Sequence, residues 1–156
     1  VSTTQIETVA FTVNGESKSL NVDSKQTLLD VLRNSLGLKA TRMGCAAGQC
    51  GACKVIVDGY AVNACQTPMW AVQGKVVKTL EGLGTVERPH PLQTAFIQQQ
   101  AAQCGFCTSG LIMAAAALLE RNPSPDETTI KQALDDQLCR CGIQQRAIRA
   151  VLQACK

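Results

Sequence analysis

Between residues 9 and 22, hydrophobic positions recur at every second residue. Val9, Phe11 and Val13 alternate with Ala10 and Thr12, and Leu20 and Val22 alternate on the return. Asn14-Gly15 stands between the two runs. That pair favours a type I′ turn, whose central residues both need positive φ, so the segment is expected as a β-hairpin. The period then changes. Leu28, Leu29, Leu32 and Leu36 fall on one helical face, with Thr27 as N-cap, Asp30 three residues on and Gly37 as the residue that ends the helix. A glycine-rich loop runs from Gly44 to Cys53. A second hairpin is expected across Asp58-Gly59, between Lys54–Val57 and Tyr60–Ala64, and Val76–Leu80 reads as a last strand. Two hairpins, a helix and a further strand predict a β-grasp arrangement.

The pattern shifts near Gly82. The stretch from Gly82 to Pro91 holds two glycines and two prolines and reads as a linker. Beyond it the periodicity is helical. Leu92–Gln103 and Ser109–Arg121 are expected as two helices. A third should start with Ser124 as N-cap, Pro125 at N1 and Glu127 at N3, carrying Ile130, Leu134 and Leu138 at a spacing of four. The fourth begins near Gln144, with Ile148, Val151 and Leu152 on one side. The expected fold class is α+β: a β-grasp domain over residues 1–81, a linker over 82–91, and a four-helix bundle over 92–156.

Two domains of this size bury too little surface to be comfortable alone, and small domains often carry a covalent or metal staple. The chain has nine cysteines in 156 residues. The count is odd, and Val1 to Gln5 lacks the charged start, apolar run and cleavage site of a secretory leader, so metal ligation is expected over a disulfide scaffold. No apolar run is long enough to span a bilayer.

The cysteines fall into two sets. The first is Cys45-x4-Cys50-x2-Cys53, followed after eleven residues by Cys65. This is the plant-type spacing of a [2Fe–2S] cluster held by four cysteines. Three thiolates from one short loop must turn inward, and Gly44, Gly48 and Gly51 are candidates for positive φ that leave room for backbone N–H groups near sulfur. The second set is Cys104-x2-Cys107 and, after thirty-one residues, Cys139-x-Cys141. One pair falls at the junction of the first two helices and the other between the last two. In an antiparallel bundle those junctions share an end, so four thiolates can converge. Structural zinc is the alternative for either set. A Rieske centre needs two histidines, and the chain has only His90.

Other features point to ordinary roles. Cys155 is left over as a plain thiol, and His90 is expected in a loop or cap. Met69 and Trp70 are expected to pack at the base of the first domain. Asp135 and Asp136 should point to different helix faces rather than form an acid/base pair. Gly82-x-Gly84 lacks the rest of a dinucleotide fingerprint. The formal charge of +3 counts every cysteine as neutral. Each four-thiolate [2Fe–2S] unit adds about −2, which leaves no basic surplus for nucleic acid. With 3% aromatic residues there is no stacking platform either.

Three motifs then carry a family resemblance: Gly44-Cys45-Ala46-Ala47-Gly48-Gln49-Cys50-Gly51-Ala52-Cys53, Gln103-Cys104-Gly105-Phe106-Cys107-Thr108-Ser109-Gly110, and Leu138-Cys139-Arg140-Cys141-Gly142. In this order they closely resemble the iron–sulfur subunit of molybdenum hydroxylases, the xanthine oxidase/aldehyde oxidoreductase family. The resemblance implies a ferredoxin-like first domain, and a helical domain whose cluster lies beside a molybdopterin held by a large partner subunit. The pterin is implied in its cytosine dinucleotide form, with Gln103 and Cys141 as its contacts on this chain. The implied electron path runs from molybdenum and pterin through the Cys104/Cys107/Cys139/Cys141 cluster and the Cys45/Cys50/Cys53/Cys65 cluster to an acceptor. Catalytic residues would sit on the partner, whose substrate would be an aldehyde or an aromatic N-heterocycle.

Gly142 directly after Cys141 resembles the isoquinoline oxidoreductase, nicotinate dehydrogenase and membrane-bound aldehyde dehydrogenase branch, which tends to pass electrons to c-type cytochromes. Asp135-Asp136-Gln137 departs from a common Ser-Gly-Asn, and Ile143-Gln144-Gln145 from a Thr-Tyr-type segment. Without a leader of its own, the chain is expected in the cytoplasm, or at the periplasmic membrane face on an exported partner. A free-standing ferredoxin-like carrier is the alternative function, and a zinc-stapled binding module the third reading.

Overall fold

A computed structural model describes residues 6–155; the leader reading of Val1 to Gln5 falls outside them. Strands β1 (Ile6–Val13) and β2 (Glu16–Asp23) form the first hairpin, with Val13 paired to Glu16 and both turn residues, Asn14 and Gly15, at positive φ. Thr27 caps α1 (Leu28–Asp30), its hydroxyl accepting the Asp30 N–H at 3.2 Å, and the helix widens into a π-helical turn over Val31–Ser35. Gly37 follows at φ +70.

The second hairpin joins β3 (Lys54–Val57) to β4 (Tyr60–Asn63), and β5 (Val76–Lys78) completes the sheet. The order is β2-β1-β5-β3-β4, with β1 and β5 parallel and the other neighbours antiparallel. β4 is one residue shorter than expected, because Ala64–Gln66 coils into a 3₁₀ turn that carries Cys65. Leu28, Leu29, Val31 and Leu32 cover one sheet face together with Val9, Phe11, Val55 and Val77, all buried. Met69 joins this core, whereas Trp70 stays 62% exposed and does not pack at its base. The 3₁₀ turn over Met69–Val72 sends the two side chains in different directions.

The helical half comprises α2 (Pro91–Gln98), α3 (Thr108–Arg121), α4 (Glu127–Ala133) and α5 (Gln144–Ala154). His90 caps α2: its Nδ1 accepts the Leu92 N–H at 3.2 Å, and Gln93 accepts from the His90 N–H. Two expectations give way here. α2 stops at Gln98 rather than Gln103, because the Ala101 N–H bonds back to the Phe96 carbonyl and Gln100 turns to φ +50. The N-cap of α4 is Asp126, not Ser124: its carboxylate accepts the Thr129 N–H at 2.8 Å. An ionised side chain at that position also complements the helix dipole.

α3 is the axis of this half, with every residue from Ser109 to Leu118 buried. Its core takes in one strand residue. Alternation along β3 sends Val55 into the sheet-and-α1 core and Ile56, fully buried, into the helical one. At β3 the sheet is therefore covered on both faces. No helix among the described residues is long and apolar enough to cross a membrane.

Candidate iron–sulfur sites

The loop between α1 and β3 gathers the first three cysteines, and its backbone points at sulfur. The N–H groups of Ala47 and Gln49 both reach Cys45 Sγ at 3.3 Å, and the Cys45 N–H reaches Cys50 Sγ at 3.4 Å. The donors to Cys45, joined by the Cys50 N–H, bring the pKa of this exposed thiol down to about 6. A thiolate is the species they favour, and a thiolate is what iron binds.

Gly48 and Gly51 hold φ near +73, as the loop reading requires. Gly44 does not. It is needed for room, since a Cβ there would lie 2.7 Å from Cys50 Sγ. Ala46 takes a positive φ of 54 without being glycine, and no residue-type signal marks that position.

The fourth cysteine arrives through the β3–β4 hairpin. Lys54 pairs with Asn63, so the residues just outside the ladder, Cys53 and Ala64, are neighbours, and the Ala64 N–H donates to the Cys53 carbonyl. Asn63 Nδ2 and Gln66 Nε2 then bind the carbonyls of Gly48 and Ala46 at 2.8 and 2.9 Å, tying the loop to the turn that carries Cys65. Cys53 and Cys65 are both buried. Desolvation, together with the Cys65 and Cys50 thiols, pushes Cys53 up to about 12 despite a backbone bond from Cys65.

The second four converge from two loops. Cys104 stands in the turn after α2 and Cys107 at the N-terminus of α3, with Gly105 between them at φ +79. Cys139 and Cys141 lie in the turn before α5, followed by Gly142 at φ +78 and by Ile143, which is buried in the core. Arg146 Nη1 reaches back to the Gln100 carbonyl, and Gln144 Nε2 to that of Cys139, so α5 ties both loops. Desolvation and the Cys139 thiol push the buried Cys107 up to about 12. Burial would raise Cys139 as well, but backbone N–H groups of Ile143, Cys141 and Gly142 hold it below its ordinary value. Cys141 accepts the Cys104 N–H, yet crowding by the Cys104 and Cys139 thiols leaves it raised.

A cavity of about 260 Å³ joins the two sets, walled by Cys45 and Cys50 from one and by Cys104, Cys107 and Cys139 from the other. The Leu138 N–H donates to the Cys50 carbonyl at 3.0 Å across the same boundary. The helical period predicts Leu138 in the core of the third helix. Instead α4 ends at Ala133, and Leu138 is 61% exposed at the rim of the cavity. Gln103 and Cys104 are exposed and Cys141 half-buried on the helical half.

All nine cysteines are free thiols. Among the described residues, no three His, Cys, Asp or Glu side chains are spaced for a single metal ion. A two-iron unit is wider than an ion, and it suits four sulfurs with N–H donors aimed at them. Cys155 joins neither set; its thiol donates to the Val151 carbonyl at 3.0 Å.

Comparison with known proteins matches both halves. Residues 11–74 fit the 2Fe-2S iron-sulfur cluster binding domain, and residues 79–152 the [2Fe-2S] binding domain. Two such domains in one chain define an electron-transfer protein. The chain belongs to the iron–sulfur subunits of the molybdenum hydroxylase family. It is 46% identical to one of the nicotinate dehydrogenase subunits of Pseudomonas putida, over 94% of each chain. It is 44% identical to the alpha subunit of isoquinoline 1-oxidoreductase from Brevundimonas diminuta, over 95% of this chain and 97% of that one. The aldehyde oxidoreductase of Desulfovibrio gigas superposes with a TM-score of 0.93 at 41% identity, over 96% of this chain but only 17% of the other. The chain thus spans the first two relatives almost end to end and a minor part of that longer oxidoreductase.

Proposed function

We propose that Cys45, Cys50, Cys53 and Cys65 ligate one [2Fe–2S] cluster and Cys104, Cys107, Cys139 and Cys141 a second. The domains meeting across the cavity are residues 1–81 and 92–156, joined by 82–91. The observation that carries this reading is the cavity walled by cysteines of both sets, with no thiol tied up in a disulfide. The clusters supply one-electron redox chemistry. The chain supplies thiolates, N–H donors to sulfur, and a low-dielectric wall on one side of each set.

The partner in this reading is a large molybdopterin-binding subunit, with the pterin as its cytosine dinucleotide. Gln103 and Cys141 contact the pterin. Both lie toward the exposed side of the helical half, where a partner can reach them. The names of the two full-length relatives favour an aromatic N-heterocycle as substrate over an aldehyde. Gly142 after Cys141 supports a c-type cytochrome as acceptor. The free-standing carrier predicts a protein that elutes from native extract near 16.6 kDa; the family reading predicts a much larger complex. The cluster assignment is tested on dithionite-reduced protein by low-temperature EPR with iron and acid-labile sulfide counts. Two distinct S = 1/2 signals and about four irons per chain support it. One signal with about two irons, plus zinc, overturns it.

A further inference from the structure

The turn after α4 holds three polar residues, Asp135 to Gln137, that no ligand role uses, and two of them take part in a bridge to the sheet half. Lys54 directly follows Cys53. Its ammonium meets the Asp136 carboxylate at 2.5 Å, although Lys54 is only 8% exposed. Asp136 also accepts from Gln137 Nε2 at 3.0 Å. Gln137, 3% exposed, fills the space above Gly51: a Cβ there would overlap its amide. On its other side is Gly110, where a Cβ would run into the Gly51 carbonyl and Gln137 Oε1. One residue further, Leu138 makes its bond to Cys50. Residues 50–54 are thus joined to 136–138 by an ion pair and a backbone hydrogen bond with a packed amide between them, and each end abuts a cysteine of a different set.

Stability alone does not call for this arrangement. An apolar side chain at position 54 would avoid the desolvation of an ammonium. Gln137 Oε1 is buried with no hydrogen-bond partner among the described residues, a cost that an apolar residue would also avoid. What the polar contacts add is register. An ion pair and an amide wedged against two glycines fit together in one docking of the halves, whereas apolar surfaces slide with small penalty.

We propose that Lys54, Asp136 and Gln137 are positioning residues that fix the relative placement of the two cluster sites, and with it the coupling between the clusters. This rests on the cysteine assignment above, and its test separates the two. The full-length holoprotein is compared with K54M, D136N, Q137A and the exchanged pair K54D/D136K. Iron and sulfide counts with the g-values of each signal read the assignment. The splitting and broadening that appear in EPR only when both clusters are reduced read the placement.

The expected result is that K54M and D136N keep both signals and about four irons but lose the mutual splitting. The exchanged pair should recover part of it. Unchanged splitting in fully loaded K54M, D136N and Q137A overturns the proposal. So does loss of iron in every variant, which makes the trio a loading or folding requirement instead. A wild-type protein with one two-iron unit fails at the assignment, and the proposal falls with it.

Discussion

The two cysteine sets are built by different means. Three of the first four thiols lie within nine residues, and the backbone of that one loop turns its own N–H groups onto sulfur. The second four come as two pairs from loops on either side of α3 and α4, and helix packing brings them together. A local site is encoded by its glycines and spacing. A split site is only as good as the core that holds its halves. The two should therefore fail separately and for different reasons.

The sharpest contrast is in thiol chemistry. In folded, iron-free protein, Cys45 is expected to alkylate first with iodoacetamide. With its pKa at about 6 it is mostly thiolate at pH 7, so its rate climbs through that region and then levels. Cys107, at about 12, holds only about one thiolate in 10⁵ at pH 7 and is further shielded by burial. Mass-spectrometric mapping against time orders the two. Equal rates would mean that the loop's donors are not formed without the cluster.

Next in size is core truncation. Ile130 is fully buried in the helical core, on the helix between the two cysteine pairs of the second set. Ile130→Ala is expected to cost about 2–5 kcal/mol and to release iron from the second set while the first keeps its EPR signal. Denaturant titration with iron analysis checks both. Loss of both clusters together would show that the halves unfold as one unit.

Gly51→Ala tests the seam between them. The residue is at φ +73, and its Cβ would overlap Gln137. The strain alone should cost about 1–3 kcal/mol, read as a lower unfolding midpoint. Smallest is Cys155→Ser. This thiol belongs to neither set, and the change should stay within about 0.5 kcal/mol with full iron content. A lost cluster in that variant would contradict the division of eight and one.

Much of this is legible in the sequence because the physics is local. Asn14-Gly15 sets a turn, Thr27 a helix start, and the C-x4-C-x2-C spacing a loop. What escapes such a reading depends on more distant neighbours. Periodicity carries α2 on to Gln103, yet the helix closes at Gln98, because the stop is a backbone bond rather than a residue type. Ser124 has the chemistry of a cap, but Asp126, two residues on, is the side chain placed to bond the first turn. Leu138 keeps the helical period but falls beyond the end of α4, where Leu134 bonds back to Ile130 and Lys131 and the chain turns toward Cys50. Lys54 stands in a strand where a cation would ordinarily face solvent, and is instead a buried partner of Asp136.

The element types, the two cysteine sets and the family are written in the chain itself, because turn chemistry, periodicity and ligand spacing act over a few residues. That the sets face one cavity is a product of packing. Alternation on β3 gives Val55 to one core and Ile56 to the other, and the halves close on that shared strand. No short-range rule encodes a contact between residues some eighty positions apart, such as Lys54 and Asp136, because it exists only once two independently patterned surfaces have met.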